Sequence, residues 1–234
     1  MTVAVKIRDL SYAYPDGTAA LAEVNLAIEA GTAFGLLGAN GAGKSTLMLH
    51  LNGVLDGGAA VEIFGEPITK RNVRDIRRRV GLVFQDPDDM LFMPRLGDDV
   101  AFGPRNLGLP EDEVAARVRE ALAAAGLAGR ESRSPHHMSL GEKRRASIAA
   151  ALALKPDILA LDEPTANLDG RGRRELAALL RSLDGTKIIA SHDLAFVREL
   201  CAEVAVLAEG RVVAAGRAEE ILGREELLRE YGLI

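Results

Sequence analysis

The chain has 234 residues, of which 48% are hydrophobic, with one cysteine and a formal net charge of -5. That length can bury the core of one large domain but leaves little room for two independent ones. A single cysteine excludes an internal disulfide and a thiolate metal cage, and the acidic balance disfavours a protein that binds nucleic-acid phosphates.

The N-terminal segment shows β-like alternation of apolar and polar residues. Val3 to Leu10 and Ala20 to Glu29 alternate in this way and are joined by the turn Pro15-Asp16-Gly17. Period-two alternation on both sides of a turn predicts an antiparallel hairpin. The apolar run Thr32 to Leu37 then predicts a buried strand.

A glycine-rich loop of the form G-x-x-x-x-G-K-[ST] follows this strand. Its glycines let backbone N–H groups curl around phosphate oxygens, and the helix that follows presents its positive dipole end. Lys44 is expected to reach the terminal phosphates and Ser45 to hold Mg²⁺. The alternative is an ordinary glycine-rich turn. The candidates for binding a nucleoside triphosphate here are Gly38, Ala39, Asn40, Gly41, Ala42, Gly43, Lys44, Ser45 and Thr46.

After the loop, helical and strand patterns alternate until the β rhythm breaks. The predicted elements are a helix over Lys44 to Leu51, a strand around Val61 to Phe64, a helix over Val73 to Arg79 and a strand over Val80 to Phe84. Residues Asp86 to Pro110 are expected to be irregular, followed by a helix from Glu111 to about Ala125 and another from Ser139 to Leu154. The sequence therefore predicts an inserted helical subdomain over approximately residues 86–154.

Buried-strand runs return in the C-terminal part of the chain. They cover Ile158 to Leu161, Lys187 to Ala190 and Val204 to Leu207, with helices between them and a short helix around Arg224 to Tyr231. Strands that alternate with helices are typical of a mostly parallel sheet. The predicted fold class is α/β, a P-loop NTPase with an N-terminal antiparallel β-subdomain, in a single domain over residues 1–234.

Two adjacent carboxylates end the first of these C-terminal strands. Strand alternation makes Asp162 and Glu163 point differently, which favours a division of roles. Asp162 can join the Mg²⁺ shell beside Ser45, and Glu163 can polarise a water for attack on the terminal phosphate. The alternative is that both acids only cap a loop.

Further motifs, in a fixed order, resemble those of ATP-binding cassette (ABC) ATPases. Met138 to Arg145 resembles the signature motif, Ala166 to Asp169 the D-loop, Ser191-His192-Asp193 the switch histidine and Gln85 the Q-loop glutamine. The resemblance covers essentially the whole chain. It implies ATP hydrolysis with ATP and Mg²⁺ as cofactors.

The resemblance also implies roles for individual side chains. Tyr14 would stack on adenine, and Gln85 would complete the Mg²⁺ shell and sense the γ-phosphate. His192 would contact that phosphate and orient the attacking water. A hairpin-anchoring aromatic is the alternative for Tyr14, and a structural histidine is the alternative for His192.

The signature segment implies a dimer in which each copy completes the other's site. Its residues are Ser139, Leu140, Gly141 and Glu142, joined by Asp169 of the D-loop. Ser139 can cap the following helix and form an anion site for the ATP of a second ABC ATPase, either an identical copy or a paralogue. Leu140 and Glu142 depart from the commonest form L-S-G-G-Q, and Glu142 places a carboxylate near a phosphate site.

Segments around the Q-loop are similar to those of energy-coupling factor importers, most closely the cobalt and nickel branch of the CbiO type. These segments are Phe84 to Phe92, Asp98 to Pro104, Leu107 to Pro110, Leu51 to Gly53 and Ser134 to Glu142. The implied function is to power uptake of cobalt or nickel, or of a vitamin, with integral-membrane subunits as partners.

No apolar run reaches the roughly 20 residues of a membrane helix, and no signal peptide is recognisable. We expect a peripheral protein on the cytoplasmic face of the membrane.

Apolar residues beside the Q-loop are a candidate contact for the membrane partner. Met90 to Met93 would need covering if they were exposed, and ordinary packing in the helical subdomain is the alternative. The basic runs Arg77 to Arg79 and Lys143 to Arg145 are expected to lie on solvated helix faces, or to meet lipid headgroups or the partner.

A soluble ATP-driven clamp on nucleic acid or ribosomes is the rival function. We expect no nucleic-acid partner, because no coiled-coil insertion or second cassette is present in the sequence.

Overall fold

The computed structural model describes residues 2–234. Its N-terminal hairpin belongs to an antiparallel sheet with the strand order β2-β1-β4-β5. The strands are β1 (Val3–Ala13), β2 (Ala19–Glu29), β4 (Val61–Ile63) and β5 (Glu66–Pro67). The hairpin turn closes with a hydrogen bond of 2.9 Å from Tyr14 N to Thr18 O. The predicted antiparallel β-subdomain is confirmed, with both hairpin strands longer than the sequence indicated.

A second sheet of order β10-β9-β3-β8-β7-β6 carries the core of the fold. Its strands are β3 (Ala33–Leu37), β6 (Val80–Val83), β7 (Ile158–Asp162), β8 (Thr186–Ser191), β9 (Glu203–Ala208) and β10 (Arg211–Arg217). Only β10 pairs antiparallel with its neighbour, so the sheet is mostly parallel, as predicted. The carboxyl ends of the parallel strands share one edge, which is where ligands bind in open α/β sheets.

Helices cover both faces of this sheet. They are α1 (Lys44–Leu51), α2 (Val73–Arg79), α6 (Gly170–Ser182), α7 (Leu194–Leu200), α8 (Ala218–Leu222) and α9 (Glu225–Glu230). One apolar core lies between the two sheets around Leu47 and Met48 of α1. A second lies on the opposite face, where Leu176, Leu180 and Phe196 cover the sheet. No helix within residues 2–234 is long and apolar enough to cross a membrane.

A helical subdomain with its own core lies between β6 and β7. Its helices are α3 (Leu96–Asn106), α4 (Glu111–Ala124) and α5 (Leu140–Leu152). Buried residues such as Leu96, Val100, Val118 and Leu122 form its interior. In the sequence, α3 lies between the Q-loop glutamine, Gln85, and α4.

The expectation of an irregular segment from Asp86 to Pro110 is wrong, because α3 forms within it. Gly97, Gly103 and Pro104 lower its helix propensity, but burial of its apolar face outweighs that cost. Gly103 also permits close packing, since a Cβ there would lie 2.8 Å from the Leu154 side chain. Short 3₁₀ turns precede two helices of the subdomain: Pro87–Asp89 lies before α3 and Pro135–His137 lies between α4 and α5.

Candidate functional site

The phosphate-loop candidate connects β3 to α1, as the sequence predicts. Gly43 has a φ of 103°, and a Cβ there would lie 2.5 Å from Ala20 O, so only glycine fits. Lys44 folds back over the loop and donates hydrogen bonds to Gly38 O at 2.7 Å and Ala39 O at 3.2 Å. Its side chain is 6% exposed. The loop therefore holds one ammonium group at its centre.

Glu163 lies against this ammonium group. Its Oε1 is 3.2 Å from Lys44 Nζ, and its Oε2 is 2.9 Å from His192 Nδ1. The Ser191 hydroxyl and the His192 backbone N–H donate to the same Oε2, each at 3.3 Å. The carboxylate thus joins the loop to the last residue of β8 and to the residue that follows it.

The backbone at Glu163 differs from the sequence expectation. Strand β7 ends at Asp162, and Glu163 adopts a left-handed φ of 42°, with its N–H donating to Ala190 O at 2.8 Å. Strand alternation therefore does not set its direction. A positive φ at a residue with a long side chain is strained, by about 1–3 kcal/mol, and such strain concentrates at functional sites.

Asp162 is a buried carboxylate beside Ser45. Burial raises its pKa, the neighbouring Ser45 hydroxyl acts in the opposite direction, and the Glu163 charge raises it further. Within residues 2–234 its Oδ1 has no hydrogen-bond partner. A buried carboxylate oxygen without a partner, next to a serine hydroxyl, suits a hard cation such as Mg²⁺.

One cavity of about 390 Å³ joins several of the predicted site residues. It is lined by Tyr14, Thr18, Ala19, Ala20, Asn40, Gly41, Ala42, Gly43, Lys44, Ser45, Thr46, Gln85 and Glu163. Tyr14 is held at its edge by a 3.0 Å hydrogen bond between its hydroxyl and Thr46 Oγ1. The hairpin, the loop, the Q-loop and the end of β7 therefore meet at one place.

The signature and D-loop residues lie in a different cavity, of about 650 Å³. Ser139 caps α5, where its side chain and that of Glu142 form a reciprocal capping box. Asp169 caps α6 by accepting from Gly172 N at 2.7 Å. Two helix N-termini thus face this second cavity, which Leu140 and Gly141 also line. The structure brings these residues together, but not in the cavity of Lys44.

Sequence reasoning missed the role of Arg144. The solvated-face expectation is wrong for this residue, which is 2% exposed and donates from one nitrogen to Phe84 O at 3.1 Å and Gln85 O at 2.6 Å. Burial lowers its pKa. Its neighbour Lys143 pairs with Asp88 at 2.6 Å. Helix α5 therefore anchors the Q-loop, and no spacing in the sequence indicates this contact.

We expect Arg144→Met to lower the free energy of unfolding by roughly 2–4 kcal/mol, because it removes a buried guanidinium group that donates to two backbone carbonyl groups of the Q-loop. Urea unfolding measures the change. The control is Arg77→Met, since exposed Arg77 also donates to a backbone carbonyl, Gly53 O, at 2.9 Å. It should cost under about 1 kcal/mol. Equal losses in both variants would contradict the anchoring role.

Comparison with known protein families gives a match over more than half of the chain. The model of the ABC transporter family matches residues 21–166. An energy-coupling factor transporter ATP-binding protein EcfA of Carboxydothermus hydrogenoformans is 49% identical, over 100% of this chain and 87% of that protein. A putative ABC transporter ATP-binding protein, GSU1281 of Geobacter sulfurreducens, is 52% identical over 96% of this chain and 90% of that protein.

Solved structures show the same similarity. The chain cbiO1 from Clostridium perfringens, part of the ABC transporter complex cbiONQ, superposes with a TM-score of 0.86. It is 39% identical, over 100% of this chain and 96% of that chain. A dimeric post-hydrolysis state of the ATP-binding cassette MJ0796, bound to ADP and Pi, has a TM-score of 0.80 and 26% identity, over 92% of this chain and 98% of that chain.

Proposed function

Since the chain belongs to the ABC transporter family and is the ATPase subunit of an energy-coupling factor transporter, we propose that it powers the import of cobalt or nickel ions. Its likeness to cbiO1, part of cbiONQ, supports this cargo. A vitamin carried by the same machine is the alternative. We further propose that residues 1–234 form one cassette domain, with residues 86–154 as its helical subdomain.

The observation that carries the ATP-hydrolysing role is the meeting of Lys44, Glu163 and His192 at one edge of the parallel sheet. The loop N–H groups and Lys44 bind the triphosphate of ATP, and Tyr14 contacts its base. Ser45, Asp162 and Gln85 would hold Mg²⁺, which would neutralise phosphate charge when bound.

Glu163 is the proposed general base. Its carboxylate accepts a proton from the attacking water, while His192, bonded to Oε2, orients that water toward the γ-phosphate. Lys44 holds the other oxygen until a phosphate competes for its ammonium group. The two carboxylate oxygens thus connect nucleotide binding to the positioning of the base.

We propose that the working unit is a dimer with a second cassette, either an identical copy or a paralogue. No residue of the phosphate loop lines the cavity of Ser139 and Asp169, and no signature residue lines the cavity of Lys44. Two chains arranged head to tail would complete both. The dimeric state of the similar cassette MJ0796 supports this arrangement.

Integral-membrane subunits are the proposed second partner, and would hold the protein on the cytoplasmic face of the membrane. A cavity of about 420 Å³ beside the Q-loop is lined by Met90, Phe92 and Phe102. Phe92 is 57% exposed and Phe102 43% exposed, with their rings edge to face at 5.2 Å. Leu91 instead packs in the core of the helical subdomain. For this residue the alternative to a partner contact, ordinary packing, is the one that the structure has. The exposed rings offer an apolar groove for a helix of the membrane subunit.

We expect Phe92→Ser/Phe102→Ser to weaken co-purification with the membrane subunits at least tenfold, because two central aromatic contacts are removed. The ATPase rate of the isolated chain should stay within about twofold, since neither ring lines the cavity of Lys44. Ile234→Ser, at a residue that is also 57% exposed, is the matched control. Unchanged co-purification would contradict the docking groove.

The proposed cargo is tested with the complete membrane complex in vesicles containing ATP. We expect ATP-dependent uptake of Co²⁺ or Ni²⁺ and no uptake of vitamins. Vitamin uptake without metal uptake would select the alternative. Capture of RNA or DNA without any integral-membrane partner would contradict both and favour the soluble clamp.

A further inference from the structure

Glu142 places a carboxylate at the N-terminus of α5, where the proposed dimer would bring the partner's ATP. Its Oε2 accepts from Ser139 N at 2.9 Å and from the Ser139 hydroxyl at 3.1 Å. The Glu142 backbone N–H bonds back to Ser139 Oγ at 3.3 Å. The side chain that orients Ser139 therefore also carries a negative charge next to a site meant for an anion.

Two arginines converge on the other oxygen of this carboxylate. Arg130 Nη1 lies 2.7 Å and Arg133 Nη1 2.9 Å from Glu142 Oε1. Arg133 also donates to His137 O at 2.8 Å, which ties it to the turn before Ser139. The bond from Ser139 N–H lowers the pKa of Glu142 most, and Arg130 lowers it further. The carboxylate is held ionised, with both oxygens in use.

The arginines reach this position because their loop is fastened to the helical subdomain. Leu96 N donates to Arg133 O at 2.9 Å, and Gly97 N donates to Glu131 O at 2.8 Å. These bonds join the loop to the first turn of α3, which is the helix that also carries Phe102 of the groove. The position of both guanidinium groups is therefore fixed by backbone contacts as well as by Glu142.

The other carboxylates of the same cavity are also compensated. Glu175 pairs with Arg145 at 2.6 Å and with Arg171 at 2.8 Å, and Asp169 is bonded to the N-terminus of α6. Arg130 and Glu142 line the cavity together with Ser139, whereas Arg133 supports Glu142 from outside its lining. With two cations for one carboxylate, the Glu142 cluster has a net charge of +1.

We propose that Arg130 and Arg133 are positioning residues that neutralise Glu142, so that Ser139 and the N-terminus of α5 can accept the terminal phosphate of the partner's ATP. This inference rests on the proposed dimer. Without the arginines, the uncompensated carboxylate would repel that phosphate. With them, Glu142 retains its capping role while its charge is offset locally.

The test measures the ATP concentration that gives half-maximal dimer, by sedimentation of the full chain with Mg²⁺. The background is Glu163→Gln, which prevents hydrolysis. Adding Arg130→Gln/Arg133→Gln should raise that concentration roughly tenfold or more, since an uncompensated carboxylate then faces phosphate. Adding Glu142→Gln to this variant should restore it to within about threefold, because Gln keeps the capping box without the charge. Arg105→Gln, at the exposed Arg105–Glu111 pair, is the control and should have no effect.

Rescue by Glu142→Gln separates charge compensation from a purely structural role. If the arginine variant dimerises like its background, or if Glu142→Gln fails to rescue it, the inference is wrong. Binding of ATP to the monomer should match that of the Glu163→Gln background when the Arg130, Arg133 and Glu142 substitutions are added, since those three residues do not line the cavity of Lys44. Failure of the Glu163→Gln background itself to dimerise would overturn the proposed dimer instead.

Discussion

Glu163→Gln is expected to reduce ATP turnover roughly 10²- to 10⁴-fold while leaving ATP bound. The amide cannot take the proton of the attacking water, but it keeps the shape of the side chain beside Lys44 and His192. Loss of one negative charge next to the phosphates should also leave ATP affinity equal or higher. Steady-state phosphate release measures turnover, and equilibrium binding measures affinity.

The matched control for this variant is Glu199→Gln. Glu199 forms an ion pair with Arg181 on the surface and does not line the cavity of Lys44. Its turnover should stay within about twofold of the unchanged chain. If Glu163→Gln hydrolyses ATP at the normal rate, Glu163 is not the general base.

Lys44→Met is expected to weaken ATP binding by roughly 2–5 kcal/mol, which is about 30-fold or more in the dissociation constant. The methionine keeps the apolar stem but removes the ammonium group at the centre of the loop. That group donates to Gly38 O and Ala39 O and lies 3.2 Å from Glu163. Isothermal titration with ATP and Mg²⁺ measures the effect.

A second variant separates lost binding from lost stability. Lys44→Met alone leaves Glu163 without its buried cation, which costs roughly 3 kcal/mol of unfolding free energy. Lys44→Met/Glu163→Gln removes both charges and should recover most of that stability. ATP binding should stay weak in the double variant. Recovery of ATP affinity together with stability would show that Lys44 acts only on the fold.

The fold and the place of the phosphate-loop candidate between β3 and α1 were predictable because their signals are local in the sequence. Consecutive residues from Gly38 to Thr46 spell the loop, and α1 has the bounds that its pattern predicts. Buried apolar runs identified β7 and β8, whose ends position Asp162, Glu163 and His192. Such features depend on backbone geometry over a few residues.

Features that depend on contacts between distant segments could not be predicted in the same way. Helix α3 contains two glycines and a proline and is stabilised by packing against α4 and α5. Arg144 looks like a solvated cation in the sequence, yet it bonds to carbonyls about 60 residues earlier. The arginines that offset Glu142 become visible only when the loop before α5 folds back. Residue spacing alone carries no information on these contacts.

The composite site is the central claim, and the mass of the Glu163→Gln chain with and without ATP tests it most directly. Analytical ultracentrifugation with Mg²⁺ should show a monomer without nucleotide and a dimer that retains two ATP molecules. Ser139→Arg in the same background should bind ATP and remain monomeric, because a bulky side chain would occupy the face of α5 that meets the partner's phosphate. A chain that binds ATP but stays monomeric with intact Ser139 would contradict the claim.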